Sequence, residues 1–449
     1  MRQRLIAIVW ACGLAASSSA QVSSSGAEAY WPQWRGPLAT GVAPHGDPPT
    51  QWSESKNVRW KVVIPGRGHA TPIVWGERVY IQTAVPTDRL AESQSAEKAP
   101  AESRATSGPA ESEPVRIHKF MLLALDRRTG KTVWEQTLCE AAPHEFGRTE
   151  SSQASNSPVT DGTCIIAYFG SRGVYCVDMD GTLVWKKDLG QMKTRRGFGE
   201  GSSPALYQDA VIITWDNEGP SFIVALDKKT GAERWRVDRE EPTSWATPLV
   251  LATEGKAQVI TSATKRIRSY DFQTGKLLWE CSGMTENVIP TPVSDDGLVY
   301  CMSGFRGSAL LAIRYADAQG DITGSPAIAW TYDGKGTPYV PSPVLLGHEL
   351  YFLQESRAVL SCLDAKSGRA HYAKERLEGL GDVFSSLAGA SGRVYVVARD
   401  GKAAVVQAGP EFKVLAVNSL DDSFSASPAI AGNELYLRGY EHLYCIAAD

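Results

Sequence analysis

From Phe222 to Trp235 the chain reads FIVALDKKTGAERW: an apolar run, a polar turn containing Asp227, Thr230 and Gly231, and a second run ending on Trp235. An unbroken apolar run of this length is expected of a strand buried on both faces. Asp at the turn can cap backbone N–H groups with its carboxylate, and Gly takes the positive φ that closes a four-residue hairpin loop. The pattern repeats as LLALDRRTGKTVW (Leu122 to Trp134), RSYDFQTGKLLW (Arg268 to Trp279) and SCLDAKSGRAHY (Ser361 to Tyr372). The interval from Asp to aromatic is eight residues in Asp126–Trp134, Asp227–Trp235, Asp271–Trp279 and Asp364–Tyr372, and seven in Asp178–Trp185. A stretched copy ends at Trp330 after an insertion near Asp317 to Gly324. Self-similarity at a period of about 40–50 residues marks a propeller or a solenoid.

A second marker fixes the register. Ser/Thr-Pro followed by a turn and a β-branched, aromatic run begins at Thr71, Ser157, Ser203, Thr247, Thr291, Ser342 and Ser427; an eighth start at Ser386 lacks the proline. Pro is tolerated at the first residue of a strand, where its missing N–H breaks no ladder bond. Each unit is therefore four short strands, one propeller blade. The last unit stops at Asp449, before its fourth strand, while Asn57 to Ile64 (NVRWKVVI) is a Trp-bearing strand with no blade of its own. The fold expected is all-β: an eight-bladed propeller of four-stranded antiparallel blades over 57–449, closed by this N-terminal strand completing the last blade.

Ahead of the ring, residues 1–20 have the pattern of a signal peptide: Arg2 and Arg4, an apolar run of about twelve residues, and Ser18-Ser19-Ala20 as a cleavage site. The run is too short for a transmembrane anchor, and Cys12 lies in a poor context for lipid attachment. An exported chain, periplasmic or secreted and monomeric, is expected. Residues 21–56 form a Trp-, Pro- and Gly-rich extension; Tyr30 to Thr50 lacks strand periodicity and is expected to cover one face of the ring without closing it. Pro86 to Glu113, rich in Ser, Ala, Glu and Pro, is expected to be a disordered loop inserted in blade one.

Loss of Arg2 and Arg4 takes the formal net charge from −4 to −6, and the chain has no long basic run, which leaves no footprint for nucleic acid. Seven cysteines remain; Cys176, Cys362 and Cys445 occupy one strand position that Ala124 and Ala225 fill elsewhere, as expected of small buried side chains. The tryptophans at 60, 134, 185, 235, 279 and 330 recur once per blade and are expected to be packing residues. The glycines at 66, 68, 197, 199 and 201 lead into strands and not helices, so they are expected to form inter-blade turns, not phosphate loops. The seven histidines make no metal-binding spacing, and Asp216-Asn217-Glu218-Gly219 is expected to be a polar turn.

The recurring LDxxTGxxxW unit with its Ser/Thr-Pro starts resembles the pyrroloquinoline quinone (PQQ) repeat family, and WPQWRGP, NVRWK and PGRGHATPIV resemble the opening of its exported bacterial members. The resemblance implies that each Trp docks one blade on the next. It also implies two kinds of relative. Quinoprotein dehydrogenases hold PQQ and a calcium ion at the ring centre, many with an adjacent-cysteine disulfide stacked on the cofactor. An outer-membrane assembly lipoprotein with the same blades binds no quinone and acts as a scaffold. Here no two cysteines are adjacent and no CxxCH occurs. The expectation is a non-catalytic binding or scaffold module with no cofactor and no metal, taking a protein, peptide or small ligand; the alternative is a PQQ-dependent oxidoreductase with PQQ and Ca²⁺. Ligands of propellers bind where inter-blade loops meet the channel, just before each first strand. There this chain places His69, Asn156, Glu200, Trp245, Tyr339 and Phe384, with Arg148, Glu150 and Arg195 in the same loops. A hydrolase would need paired carboxylates there, for which Glu200 and Glu150 are the candidates.

Overall fold

The computed structural model describes residues 24–91, 115–145, 151–253 and 255–448. Among these the chain forms eight antiparallel sheets arranged as a ring of blades. Blade three shows the unit: Ala205–Tyr207, Ala210–Trp215, Ser221–Asp227 and Glu233–Arg239, paired in sequence order. Because the strands run up and down, the lead-in to each first strand and the loop between strands two and three lie on one face, the mouth. The turns between strands one and two and between three and four lie on the other, the turn face. The turns form as the residues dictate: Asp227 accepts hydrogen bonds from the Lys229 and Thr230 N–H groups (3.0 Å each) and the Thr230 hydroxyl.

Ring closure is as expected. Val58–Val63 pairs antiparallel with His442–Ile446 and supplies the fourth strand of blade eight. Trp60 docks on blade one: its Nε1–H donates to the Arg127 carbonyl at 3.0 Å and its ring lies on Gly130. Four more tryptophans repeat this dock, with Nε1 bonded to a carbonyl of the next blade's last turn: Trp134 to Met179, Trp185 to Lys228, Trp235 to Phe272 and Trp330 to Ala365. The turn glycine is required twice over. Gly231 has φ +70°, and a Cβ there would sit 2.7 Å from the Trp185 ring. Cys176, Cys445 and Ala225 stand opposite Trp185, Trp60 and Trp235 in the register, which explains why that position stays small. All seven cysteines among the described residues are free.

Three joints depart from the rule. Blade five has no TG turn; its insertion sends Gly320–Asp321 back as a fifth strand on blade four, parallel to Trp279–Glu280. Trp279 is thereby fully buried and donates to Gln258 of its own blade. Between blades six and seven, Tyr372 meets Phe412 edge-on. Blade seven has no aromatic in its fourth strand (Val414–Ser419), and the tyrosine on its second strand, Tyr395, stacks instead on Trp52 of the N-terminal segment.

That segment does more than cover a face. Trp31 bridges Val74 of blade one, the Pro32 carbonyl accepts from Thr160 of blade two, and the Thr40 carbonyl accepts from Leu345 of blade six. Val42–Ala43 then adds a parallel strand to the inner edge of blade seven, and Asp47 N–H donates to Gly432 of blade eight. The segment seals the turn-face end of the channel. From it Arg35 reaches the Leu387 and Pro343 carbonyls at the start of the inner strands, and Trp34 reaches the Ser427 hydroxyl. The segment covers a face of the ring, as the sequence leads one to expect, and in addition lends a strand to blade seven. Pro86 to Leu90 is likewise strand and not loop, since Arg78–Leu90 pairs with Arg116–Asp126 as far as Leu90 opposite Arg116. Ala91 continues the pairing with its N–H on the Val115 carbonyl, and residues 92–113, like residues 1–20 with Cys12, lie outside the described residues.

Inside the ring the Ser/Thr of the repeat form a belt. The N–H of Thr71 donates to the Ser157 hydroxyl, Ser157 to Ser203, Ser203 to Thr247, Thr247 to Thr291, Thr291 to Ser342, Ser342 to Ser386, and Ser386 to Ser427, all at 2.9–3.0 Å. Seven joints are linked. At the eighth, the buried Thr71 hydroxyl has no hydrogen-bond partner among the described residues.

Trp60→Ala is expected to cost about 3–5 kcal/mol in chemical denaturation, the range for a large aromatic truncated in a core; a loss below 1 kcal/mol would show that the seam does not depend on this dock. Gly231→Ala is expected to lose on the order of 1–3 kcal/mol more than Gly297→Ala. Both glycines have positive φ, but at Gly297 a Cβ meets nothing within 4 Å, so equal losses would remove the ring contact from the explanation.

Candidate functional site

The lead-in loops of blades two to four and the ends of second strands beside them line two small adjoining clefts at the mouth. Asn156 and Glu200 line both. Trp245 lines the smaller, its indole N–H donating to the Gly199 carbonyl at 2.7 Å. The structure thus brings together three of the six residues singled out from the sequence. Asn156 is held by its side-chain amide on the Ser202 carbonyl. Glu200 accepts from the Ser171 N–H at 2.7 Å and from its hydroxyl. Burial pushes the Glu200 carboxyl up to about 7, against the Ser171 hydrogen bonds and with help from Glu145. Glu145 lines the larger cleft and accepts from the Thr194 N–H and hydroxyl.

The other three lie elsewhere on the mouth. Tyr339 stacks on Phe305 with centroids 4.9 Å apart, between blades five and six. His69 stacks on Tyr440, 5.2 Å away, and Phe384 lies under the Arg399 guanidinium. Arg399 in turn donates to the Tyr440 hydroxyl at 3.0 Å, which joins His69 and Phe384 into one cluster across blades one, seven and eight. Arg195 pairs with Glu286 at 3.0 Å. Arg148 and Glu150 lie outside the described residues.

The mouth therefore has two poles. The clefts, which carry Glu145, Glu200 and Arg172, form one, and Arg67, Arg399 and Arg438 lie within electrostatic reach of His69 at the other. Burial and these three cations hold the His69 imidazole down to about 3, so the ring is neutral. Asp216, expected to belong to a polar turn, forms a fully buried pair with Arg239 at 2.7 Å, while Asn217 and Glu218 tie down the neighbouring backbone. No three His, Cys, Asp or Glu side chains among the described residues come together as a metal would require. Sequence reasoning missed Glu145, Ser171 and the arginine cluster. Arg438 alone left a signal: the second strand of the last repeat carries a charge two residues past its Tyr, where its counterparts carry Met302, Leu353 and Val397.

The family described as Outer membrane protein assembly factor BamB matches residues 118–374 and, overlapping, 219–449. The chain belongs to this family of PQQ-repeat propellers. Among solved structures it is similar to BamB from Moraxella catarrhalis, with a TM-score of 0.52, 14% identity, and coverage of 73% of this chain and 93% of that one. It is also similar to quinohemoprotein alcohol dehydrogenase from Comamonas testosteroni, with a TM-score of 0.65, 11% identity, and coverage of 95% and 82%. At these identities the likeness shows the fold. No curated protein sequence matches the chain. No helix among the described residues is long and apolar enough to cross a membrane.

Glu200 gives a pH test. Its raised value means the unfolded chain gives up its proton near 4.5 and the folded chain near 7. Stability from this group is therefore lost as pH rises across that window, by about 3 kcal/mol in total. Depressed His69 works in the opposite sense, adding stability as pH rises from 3 to 6.5. The wild-type curve mixes the two, so the difference from Glu200→Gln isolates the carboxyl. The variant is expected to gain on wild type as pH rises from about 4.5 to about 7 in denaturant titrations. A constant difference would show that Glu200 titrates normally.

Proposed function

We propose that this chain is a non-catalytic, exported binding propeller that takes a protein segment, a peptide or a small molecule at the channel mouth. The observation that carries this is the sealed turn face. Residues 31–47 close one end of the channel and Arg35, fully buried, stands at the starts of its inner strands. Binding is thereby directed to the opposite face, where the lead-in loops supply clefts, aromatic side chains and both signs of charge. Both carboxylates of the larger cleft are already occupied by Ser171 and Thr194, which suits recognition better than proton transfer. Membership of the BamB family supports a protein partner.

PQQ and calcium at the ring centre form the alternative. The residues here fit the calcium ion poorly: no three His, Cys, Asp or Glu side chains among the described residues come together to hold it.

Photo-crosslinking residues placed at Trp245 and Tyr339, in the full chain in producing cells, are expected to yield discrete adducts. The same group at Val184, an exposed residue on an outer strand, is expected to yield none. Adducts from Val184 alone would move the binding surface to the rim. Dye reduction by the purified protein with PQQ, Ca²⁺ and an alcohol would establish the alternative instead.

A further inference from the structure

The polar side chains that line the smaller cleft divide into those already committed and those that are not. Its side-chain nitrogen donors are committed: Asn156 donates to the Ser202 carbonyl and the Trp245 indole to the Gly199 carbonyl. So are the hydroxyls of Ser202, Thr243 and Ser244, on the Ala246 carbonyl, Glu218 and Asp216. Asp216 itself is neutralised by the buried Arg239.

Two hydroxyls remain. Tyr168, fully buried, and Thr214, 3% exposed, both line this cleft, and neither hydroxyl has a hydrogen-bond partner among the described residues. They occupy the same register position in blades two and three. Tyr168 stands two residues after Ile166, which faces Cys176, and Thr214 two after Ile212, which faces Ala225. Leaving a buried hydroxyl unpaired is costly, so two on one cleft point to a group that joins them.

Glu200 borders the same cleft, within electrostatic reach of Tyr168. A carboxylate has about four acceptor sites, and Glu200 uses two of them, for the N–H and hydroxyl of Ser171. Arg172 lies within electrostatic reach but makes no salt bridge to it, and Glu145 adds a like charge. The free functionality of the cleft is therefore oxygen. Its complement is a group with several N–H donors and no acceptor, and a primary ammonium has three such donors and a charge to match Glu200. The half-buried Trp245 ring at the edge supplies an aromatic face for a cation. An anion would be repelled by Glu200, and an amide or a sugar would bring acceptors to side-chain N–H groups already bound elsewhere.

We propose that the smaller cleft is a primary-ammonium site, in which Tyr168, Thr214 and Glu200 take the N–H groups of a lysine side chain or an amino terminus carried by the bound segment. This rests on the reading of the mouth as a binding surface and narrows it to a partner that presents an amine. Because Glu200 gives up its proton near 7 in the free protein, an amine must displace that proton at lower pH. Affinity is therefore expected to rise about tenfold from pH 6 to pH 8, with protons released on binding at the lower value.

Titration calorimetry of the full chain with methylammonium chloride, at constant ionic strength in sodium buffers of two ionisation enthalpies, tests this. One saturable site per chain is expected, tighter at pH 8. Glu200→Gln is expected to weaken binding at least tenfold and to remove the pH dependence. Thr214→Val, which keeps the shape and loses the hydroxyl, is expected to weaken it severalfold and to keep the pH dependence. Tyr339→Phe, elsewhere on the mouth, is expected to change nothing. Nα-acetyl-lysinamide and glycinamide separate the two sources, and the tighter of them assigns a side chain or a chain terminus. No saturable binding, an affinity independent of pH, or tighter binding of potassium or methylguanidinium than of methylammonium would overturn the proposal. Crosslinked adducts at Trp245 from a chain that binds no amine would reject this site and leave the binding propeller standing.

Discussion

Apart from the Gly320–Asp321 excursion of blade five onto blade four, the strands of each blade find their backbone partners inside their own sheet, so sheet pairing does little to hold one blade to the next. What makes a ring of eight sheets one molecule is the set of side-chain fasteners between them. The belt is the innermost. At seven of the eight joints the Ser or Thr N–H that opens a strand is satisfied by the next blade's hydroxyl. One such bond contributes only about 1 kcal/mol net, but leaving the buried N–H unmade costs more. The Trp docks do the same work near the rim and add apolar burial. Inner belt and outer docks together fix both the tilt and the spacing of neighbouring blades.

Where the repeat runs out, the fasteners change in kind. The missing turn in blade five is replaced by an inserted strand that buries Trp279 from outside. The missing Trp of blade seven is replaced by Trp52, borrowed from beyond the ring. At the seam between the first and last blades the rim half is strengthened with ion pairs, and the inner half loses its belt link. Irregularities thus fall in blade five and where the chain enters and leaves the ring, and unpartnered buried polar atoms occur at the seam (His69, Thr71, Arg438) as well as in other blades, as at Tyr168 and Asn287. A repeat whose copies are equivalent has no reason to place a buried arginine in one of them.

Much of this fold was legible because it repeats. A single DxxTG turn proves little, but its recurrence with a constant interval to Trp fixed the strand order and blade count, and the strand Asn57 to Ile64 had only one vacant place to go. The meaning of Ser/Thr-Pro was half read. The sequence reasoning attributed it to the proline, yet Ser386 keeps the hydroxyl and drops the proline, and the belt passes through it unbroken. The N-terminal segment was legible only as a cover, since its hydrogen bonds run to five different blades and depend on no local period. The site was legible only as a level in the fold. Choosing the residue before each first strand placed all six candidates on the mouth. It could not say that Asn156, Glu200 and Trp245 share clefts while His69 turns toward Tyr440, because that depends on loops of unequal length.

The channel is sealed by the N-terminal segment. A propeller open at both ends offers two faces of similar depth, and nothing in the repeat favours one. Here the segment that precedes the ring folds under it, ties blades one, two, six, seven and eight together, and presents Arg35 to the starts of the inner strands. Burial lowers the Arg35 guanidinium to about 9, still high enough to keep it charged at neutral pH. The Leu387, Thr40 and Pro343 carbonyls take its N–H groups, so this charge is enclosed within the closure and not offered to the mouth. A segment that belongs to no blade thus distinguishes the two faces of the ring, which the repeat by itself leaves alike.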